Sequence, residues 1–343
     1  MPARAPEREL TVAVTGPTGE IGQAVVASLE RAREVKQILG MARRPFNPRS
    51  KGWNKVRYRR GDVLNRRAVM ELVRDADVVV HLAFMIMGGA RQTRRVNLDG
   101  SRNVFEACTR AGVRRLVYAS SVAAYGFHQD NPQPLTEDVP VRGTKEHYYS
   151  AQKAEVEQLL SVMLGAGKTR AYVFRPCIVG GPKAPLLIDS MPYTQISEHL
   201  PGPVMSLLDS VPMLRPVLPD PGVPFQLVHH DDVASAMRAA VLGRGKPGVY
   251  NLAGSGELRV KQLADELGWY SVPVPELALD AAAGMVSRLG FLPAQAQWIS
   301  AFREPVIMST AKARRELRWR PRHDALETLR ETVEATRRNG HLN

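Results

Sequence analysis

No stretch of this 343-residue chain approaches the ~18–20 consecutive apolar positions needed to cross a bilayer, and the opening MPARAPEREL lacks the apolar core of a signal peptide. A cytoplasmic protein without a transmembrane segment is expected. Cysteine is nearly absent. Cys108 and Cys177 are too few for a disulfide framework and lack metal-ligand spacing, so both are expected as small buried hydrophobes and no metal is assigned. Stacking aromatics are scarce in the arginine-rich stretches (Arg31, Arg33, Arg43, Arg44, Arg57, Arg59, Arg60, Arg66, Arg67), where Tyr58 alone interleaves, and no nucleic-acid motif accompanies them. The formal net charge of +13 therefore reads as solvated surface rather than a nucleic-acid footprint, although it favours anionic cofactors or membrane surfaces without choosing between them. Internal repeats and low-complexity tracts are also lacking.

With 44% hydrophobic residues, the chain can bury the core of one large or two closely joined domains. Its most informative local feature is the turn after the first apolar run, LTVAVT at 10–15. Gly16, Gly19 and Gly22 punctuate TGPTGEIG, and Ile21–Leu29 follows with helical spacing of apolar residues. The order is strand, turn, helix. Backbone without side chains at Gly16 and Gly19 can approach a pyrophosphate, Gly22 lets the helix pack on the strand, and the helix N-terminus offers N–H groups to the phosphates. The spacing is GxxGxxG, not the commoner GxGxxG.

Further strands are expected at Lys36–Ala42, Val56–Arg60, Asp77–Phe84, Arg115–Ser120, Ala171–Arg175 and Gly248–Leu252, with helices at Arg66–Arg74, Val96–Ala111 and His147–Met163. This alternation predicts a parallel sheet covered by helices on both faces. A Pro-rich stretch from Pro182 to Pro224 interrupts it before FQLVH and a helix from Asp231 resume it.

TGPTGEIG, GDV at 61–63, HLAF at 81–84, NLDGSRNVFEA at 97–107, LVYASSVAAYG at 116–126, YSAQK at 149–153, RPCIVGGP at 175–182 and VHHDDVASA at 228–236 together resemble the extended short-chain dehydrogenase/reductases, including their epimerase/dehydratase-like members. The resemblance covers about the first 255 residues in order. It implies an α/β fold: a Rossmann-type doubly wound parallel sheet with a smaller, mostly helical C-terminal substrate region. Residues 1–182 with 228–255 are the expected dinucleotide-binding part, and 183–227 with 256–343 the substrate-binding part. Implied cofactor contacts are Gly16, Thr18, Gly19, Glu20, Ile21, Gly22, Asp62, Val63, Leu82, Ala83, Lys153 and Pro176, with Asp62 on the adenine amino group. The implied catalytic set is Ser121, Tyr149 and Lys153, with Asn97 holding either a helix bend or a proton-relay water. A homodimer through helices Val96–Ala111 and His147–Met163 is implied as well. His229, His230, Asp231 and Asp232 match a strand-end corner and helix N-cap in the family rather than a metal site.

The chemistry of this set has its own logic. Hydride transfer to a carbonyl builds negative charge on oxygen, which needs a proton donor and a second hydrogen bond. Tyr149 lies four residues before Lys153, one turn away on the same helix face, so a lysine ammonium is expected to stabilise its phenolate, and a lowering of ~2–3 units is within reach of that ammonium plus an oxidised nicotinamide nearby. Tyr148 is five residues from Lys153 and faces elsewhere. Ser121, at a strand end, is the matching hydroxyl, whereas Ser120 is free to cap or to bond the loop.

Cofactor choice turns on ILGMARR at 38–44, which has no acid to hold a ribose diol but offers Arg43 for a 2′-phosphate. NADP(H) is thus preferred, with NAD(H) the alternative. Sugar-nucleotide dehydratases of the family carry acids after the serine, where this chain has Val122-Ala123-Ala124. Nucleotide-sugar epimerases carry an asparagine and an arginine where this chain has Ile178 and Phe225. With Phe84, Met85, Ile86 and Met87, and the apolar stretch Leu186–Leu218, these departures favour an apolar carbonyl or alcohol as the small-molecule substrate; Met85–Met87 fit ordinary core equally well. The expected activity is an NAD(P)-dependent oxidoreductase, the alternatives being a sugar-nucleotide epimerase and a non-catalytic dinucleotide sensor.

Overall fold

Strand side chains alternate between two cores, and that alternation builds the molecule. The computed structural model describes residues 9–165, 167–189, 215–274 and 304–339. The Leu186–Leu218 stretch assigned to the substrate region lies partly outside the described residues, and 275–303 of that region lies wholly outside them. Seven parallel strands form the central sheet: β1 Leu10–Thr15, β2 Val35–Ala42, β3 Val56–Arg60, β4 Val78–His81, β5 Arg115–Ala119, β6 Arg170–Pro176 and, after β7 Ile178–Gly180, β8 Val217–Asp220 and β9 Leu227–His229, β10 Gly248–Leu252. Their spatial order is β10-β6-β5-β4-β1-β2-β3, which reverses direction at β1 beside β4 and opens a crevice at the strands' C-terminal ends there.

Val12, Val14, Val78, Val80 and Val117 point into one core, against α1 (Glu20–Glu30) and a helix from His230 to Val241. Ala13, Val79, Leu116 and Tyr118 point into the other, against α2 (Arg66–Val73), α4 (Gly100–Ala111) and α5 (Tyr148–Leu164), where α3 is the short Ala90–Arg94 segment. A third core gathers Ile188, Phe225, Leu227, Leu258, Leu263 and Leu329 under the C-terminal helix Ala325–Arg338. Cys108 and Cys177 are buried free thiols in the first two cores, and burial pushes both thiol pKa values up. No described helix is long and apolar enough to cross a membrane.

Two expected elements differ. The strand expected over Asp77–Phe84 ends at His81, because Thr15 Oγ1 accepts from both Leu82 N–H and Ala83 N–H at 3.3 Å and turns the chain off the ladder. The helix expected from Val96 begins earlier, at Ala90, and passes through one π turn, Arg95–Asp99, before Gly100. Asn97 sits in that turn.

A buried ion pair ties α5 to the sheet. Arg175 on β6 grips Glu157 with Nε to Oε1 at 2.9 Å and Nη2 to Oε2 at 2.6 Å, and both side chains are about 95% buried, being 5% and 6% exposed. Ser120 Oγ donates to the same carboxylate, and the Arg175 guanidinium lies 4.5 Å over the Tyr125 ring. Tyr125 in turn donates to Asn251 Oδ1 at 2.8 Å. Glu157→Leu is expected to strand Arg175 as an unpaired buried charge and lower unfolding free energy by about 3–5 kcal/mol in urea titrations. Adding Arg175→Met should recover most of that loss; a single-mutant cost below about 1 kcal/mol would show that the pair is dispensable.

Candidate active site

Side chains and loops from the ends of six strands line the crevice. At the β1–α1 turn, Gly16 takes φ +73, and a Cβ on Gly22 would lie 2.1 Å from Gly16 O, so packing within the protein requires both glycines. Gly19 is different. A Cβ there would meet nothing closer than 3.6 Å, yet Gly19 is the N-cap of α1 and gives that helix no side-chain cap. The open space at Gly19 and the N-terminus of α1 directed at it fit an approaching pyrophosphate. Thr18 is half-buried beside them and its carbonyl accepts from Gln23 Nε2 at 3.4 Å.

Arg43 leaves the end of β2, exposed, with no carboxylate within ion-pair distance among the described residues; its Nη1 lies 3.7 Å from Met85 Sδ across the crevice. Asp62, at the end of β3, accepts from Leu64 N–H at 2.9 Å. Val63 is buried against Gly100, and its carbonyl accepts from Asn103 Nδ2 at 2.9 Å. Leu82 and Ala83 follow β4, and Pro176 closes β6 beside Leu252. The residues present thus fit a dinucleotide at its pyrophosphate and adenosine ends.

Ser121, Tyr149 and Lys153 come together at the end of β5. Tyr149 and Lys153 share one face of α5, and Tyr149 is hydrogen-bonded to Ser121. Ser121 Oγ also accepts from Ala123 N–H at 3.2 Å. Lys153 Nζ donates to Ala119 O at 2.8 Å, 5.7 Å from the Tyr149 ring centre and 3.7 Å over the Phe84 ring. The chain's own groups by themselves do not lower Tyr149. Burial raises its hydroxyl to about 12, against the opposing bond with Ser121, while burial drops Lys153 to about 7 against the pull of Glu157. Desolvation wins because the phenolate has no water and the ammonium is turned toward Ala119 and Phe84.

Asn97 does not contact the catalytic hydroxyls in any recorded bond. Its Oδ1 accepts from Met85 N–H at 2.7 Å, and its Nδ2 donates to Met85 O at 3.0 Å and Gln152 Oε1 at 2.7 Å, so it pins the loop after β4 to α5. Three residues escaped the sequence reading. Glu157 repeats the four-residue spacing beyond Lys153, a signal that was present. Phe84 read only as an apolar neighbour. His147 caps α5 by accepting from Ser150 N–H at Nδ1, and its ring lies 6.3 Å from that of Tyr149.

His229 is an N-cap. Its Nδ1 accepts from Asp231 N–H at 3.2 Å, so the neutral ring carries its proton at Nε2 and donates it to Glu331 at 3.1 Å. His323 stacks on it at 3.9 Å and bonds Asp232, which also accepts from Arg322 N–H and His323 N–H. The corner joins the sheet end to the C-terminal helix.

Comparison with known proteins gives the family. The model of the NAD dependent epimerase/dehydratase family matches residues 12–253. The chain is 23% identical over 332 residues to the uncharacterized protein Rv0501 of Mycobacterium tuberculosis, covering 94% of this chain and 83% of that protein. It is 33% identical over 172 residues to human 3 beta-hydroxysteroid dehydrogenase type 7, covering 45% of this chain and 44% of that protein. Among solved structures, UDP-glucose 4-epimerase of Thermotoga maritima with UDP-glucose superposes with TM-score 0.70 at 19% identity over 96% of this chain and 99% of that one. The dTDP-glucose 4,6-dehydratase of Bacillus anthracis with NAD gives 0.71 at 18% identity over 96% and 97%.

Burial lowers His81 to about 3 and both His147 and His229 to about 4, below the unfolded value of 6.5. These rings are neutral in the folded chain and protonate when it unfolds, so their contribution is complete above pH 6.5 and is lost as pH falls toward 4. Urea midpoints should therefore drop steeply from pH 6.5 to 4.5. His147→Asn, which keeps an N-cap acceptor, should flatten that slope by about 1.4 kcal/mol per pH unit. An unchanged slope would remove His147 from the account.

Proposed function

The chain belongs to the NAD dependent epimerase/dehydratase family, and on that premise we propose that it is an NAD(P)-dependent oxidoreductase acting on an apolar ketone, aldehyde or alcohol. The observation that carries the reading is the buried Ser121–Tyr149–Lys153 cluster, with Phe84 packed on the tyrosine and the lysine and no acid in Val122-Ala123-Ala124 after the serine. When bound, the nicotinamide supplies or takes up the hydride. Tyr149 holds the proton that the developing alkoxide needs, and its raised pKa keeps it protonated at neutral pH, which suits donation. Ser121 offers the second hydrogen bond to the reacting oxygen. Lys153 orients the ribose and, lowered by burial to about 7, sets beside the tyrosine an amine poised between its two protonation states near neutral pH.

The apolar substrate class is supported by Phe225, buried in the third core, and by Ile178 packed against that core, at positions where a nucleotide diphosphate would need donors. A hydroxysteroid dehydrogenase among the relatives points the same way. Epimerization of a sugar nucleotide is the second reading, favoured by the superposition on an epimerase along nearly the whole chain. Pairing of two copies through α4 and α5 is supported by Val162, whose side chain is 85% exposed on α5.

A panel of aliphatic, aromatic, steroid-like and sugar-nucleotide compounds, read by nicotinamide absorbance, tests the reading. Net turnover of an apolar compound is expected, and Tyr149→Phe should cut it by ~10²–10⁴ with dinucleotide binding almost unchanged. Retention of more than about a tenth of the activity would remove Tyr149 as proton donor. Micromolar calorimetric binding of UDP, dTDP or GDP, with saturating NADP present, would put the epimerase reading first.

NADP(H) preference is supported by Arg43 and the absence of an acid directly after β2. Arg43→Ala should weaken NADPH binding roughly 10–150-fold while sparing NADH. Equal losses for the two cofactors would leave Arg43 no role at a 2′-phosphate.

A further inference from the structure

The nicotinamide end of the crevice fits a dinucleotide less simply than the rest. Phe84 sets its ring face 3.7 Å from Lys153 Nζ and its edge toward Tyr149, with ring centres 5.6 Å apart at 86°. Lys153 is only 3% exposed and Tyr149 9%, whereas Phe84 itself is half-buried with one side toward solvent. A ribose hydroxyl cannot reach Nζ through a ring at that distance. The backbone around Phe84 is held on both sides. Ala83 N–H donates to Thr15 Oγ1 at 3.3 Å, Asn97 holds Met85 through both its N–H and its carbonyl, and Tyr148 Oη donates to Ile86 O at 2.6 Å. With that backbone held, the ring can leave Lys153 only by rotation about its side-chain torsions.

We propose that Phe84 is a positioning residue that competes with the cofactor's ribose for Lys153: its ring covers the ammonium and rotates aside as the dinucleotide seats, releasing Lys153 to the ribose hydroxyls. The inference rests on the dinucleotide reading of the crevice. An aromatic face suits this exchange, since it stabilises the ammonium without a directional hydrogen bond and can be replaced by ribose oxygens at modest cost. The cover also shields an amine that burial has made less basic and hence reactive near neutral pH. Removing the ring should expose that amine and remove the competitor together.

The test uses the full chain without added dinucleotide. Lys153 modification by trinitrobenzenesulfonate at neutral pH is followed by peptide mass spectrometry, with Lys36, whose side chain is 70% exposed, as the internal standard. Wild type and Phe84→Tyr should label Lys153 slowly, Phe84→Ala about ten-fold faster or more, and added NADPH should protect Lys153 in all of them. Phe84→Leu, which retains an apolar side chain and serves if the alanine protein fails to fold, should fall between. NADPH, titrated by fluorescence, should bind Phe84→Ala more tightly, by roughly 3–30-fold. Equal labelling rates in wild type and Phe84→Ala, with dinucleotide binding intact, would overturn the inference alone. Faster labelling with weaker NADPH binding would also overturn it, because the ring would then support the cofactor instead of competing with it. Absence of NADPH and NADH binding in every variant would overturn both the inference and the reading beneath it.

Discussion

The Arg175–Glu157 pair is the constraint on which the site's geometry depends. It is buried, doubly hydrogen-bonded and placed between β6 and α5, so the helix cannot roll without separating two charges away from water. Glu157, Lys153 and Tyr149 succeed one another at four-residue steps along α5, and fixing the first fixes the face presented by the others. Two contacts zip that face to the end of β5: Glu157 to Ser120, and Lys153 to the carbonyl of Ala119. The first serine of the pair is thereby committed to the ion pair, and its neighbour Ser121 meets Tyr149. The adjacent serines thus take different partners on one face of α5, Ser120 at Glu157 and Ser121 at Tyr149.

Much of this was legible in the chain. The runs at 10–15, 56–60 and 248–252 became strands with those bounds, since each is a β-rich segment whose ends are marked by glycine or charge. The parallel sheet covered by helices was legible from the alternation of segments, whereas its strand order came only with the structure. Less legible was where a ladder stops. VVVHLAFMIM is one apolar run in sequence, and only Thr15, across the crevice, ends it at His81 by capturing two N–H groups. A helix bend at Asn97 was one of the two roles the resemblance implied, but its bonds to Met85 and Gln152, 12 and 55 residues away, were not legible. Tyr149 and Lys153 were legible as a spacing, but their proton affinities were not. Spacing shows that an ammonium is near a phenol; it does not show how much water either has lost.

That loss of water sets the character of the centre. With Tyr149 raised and Lys153 lowered, the cluster sits close to electrically neutral at physiological pH: a phenol that keeps its proton beside an amine that readily gives one up. His81, buried beneath with Thr15 and Ser101 on its two ring nitrogens, adds no charge, since Thr15 Oγ1 already accepts from two backbone N–H groups and must give its own proton to the ring. The surrounding fold therefore avoids stranded charge except at the paired Arg175 and Glu157.

Charge on the outside follows a different rule, and Arg43 is distinguished by its place at the end of β2 rather than by lacking an ion pair. Arg59 and Arg67 share Glu71, Arg66 meets Glu106, Arg94 meets Glu155, Arg142 meets Asp130 and Arg330 meets Glu266. Each is an exposed pair worth little to stability, and together they disperse an arginine-rich surface into local neutral patches. Arg43 stands apart: its nearest recorded polar contact is the thioether of Met85, and its carbonyl is held by Arg60 Nε at 2.9 Å, bringing a second guanidinium to the same strand end. Two cations converging without a carboxylate repel one another, a cost that an anionic ligand would reverse. The chain's net positive charge is thus mostly solvated surface, but at the end of β2 it is concentrated where a phosphate could balance it.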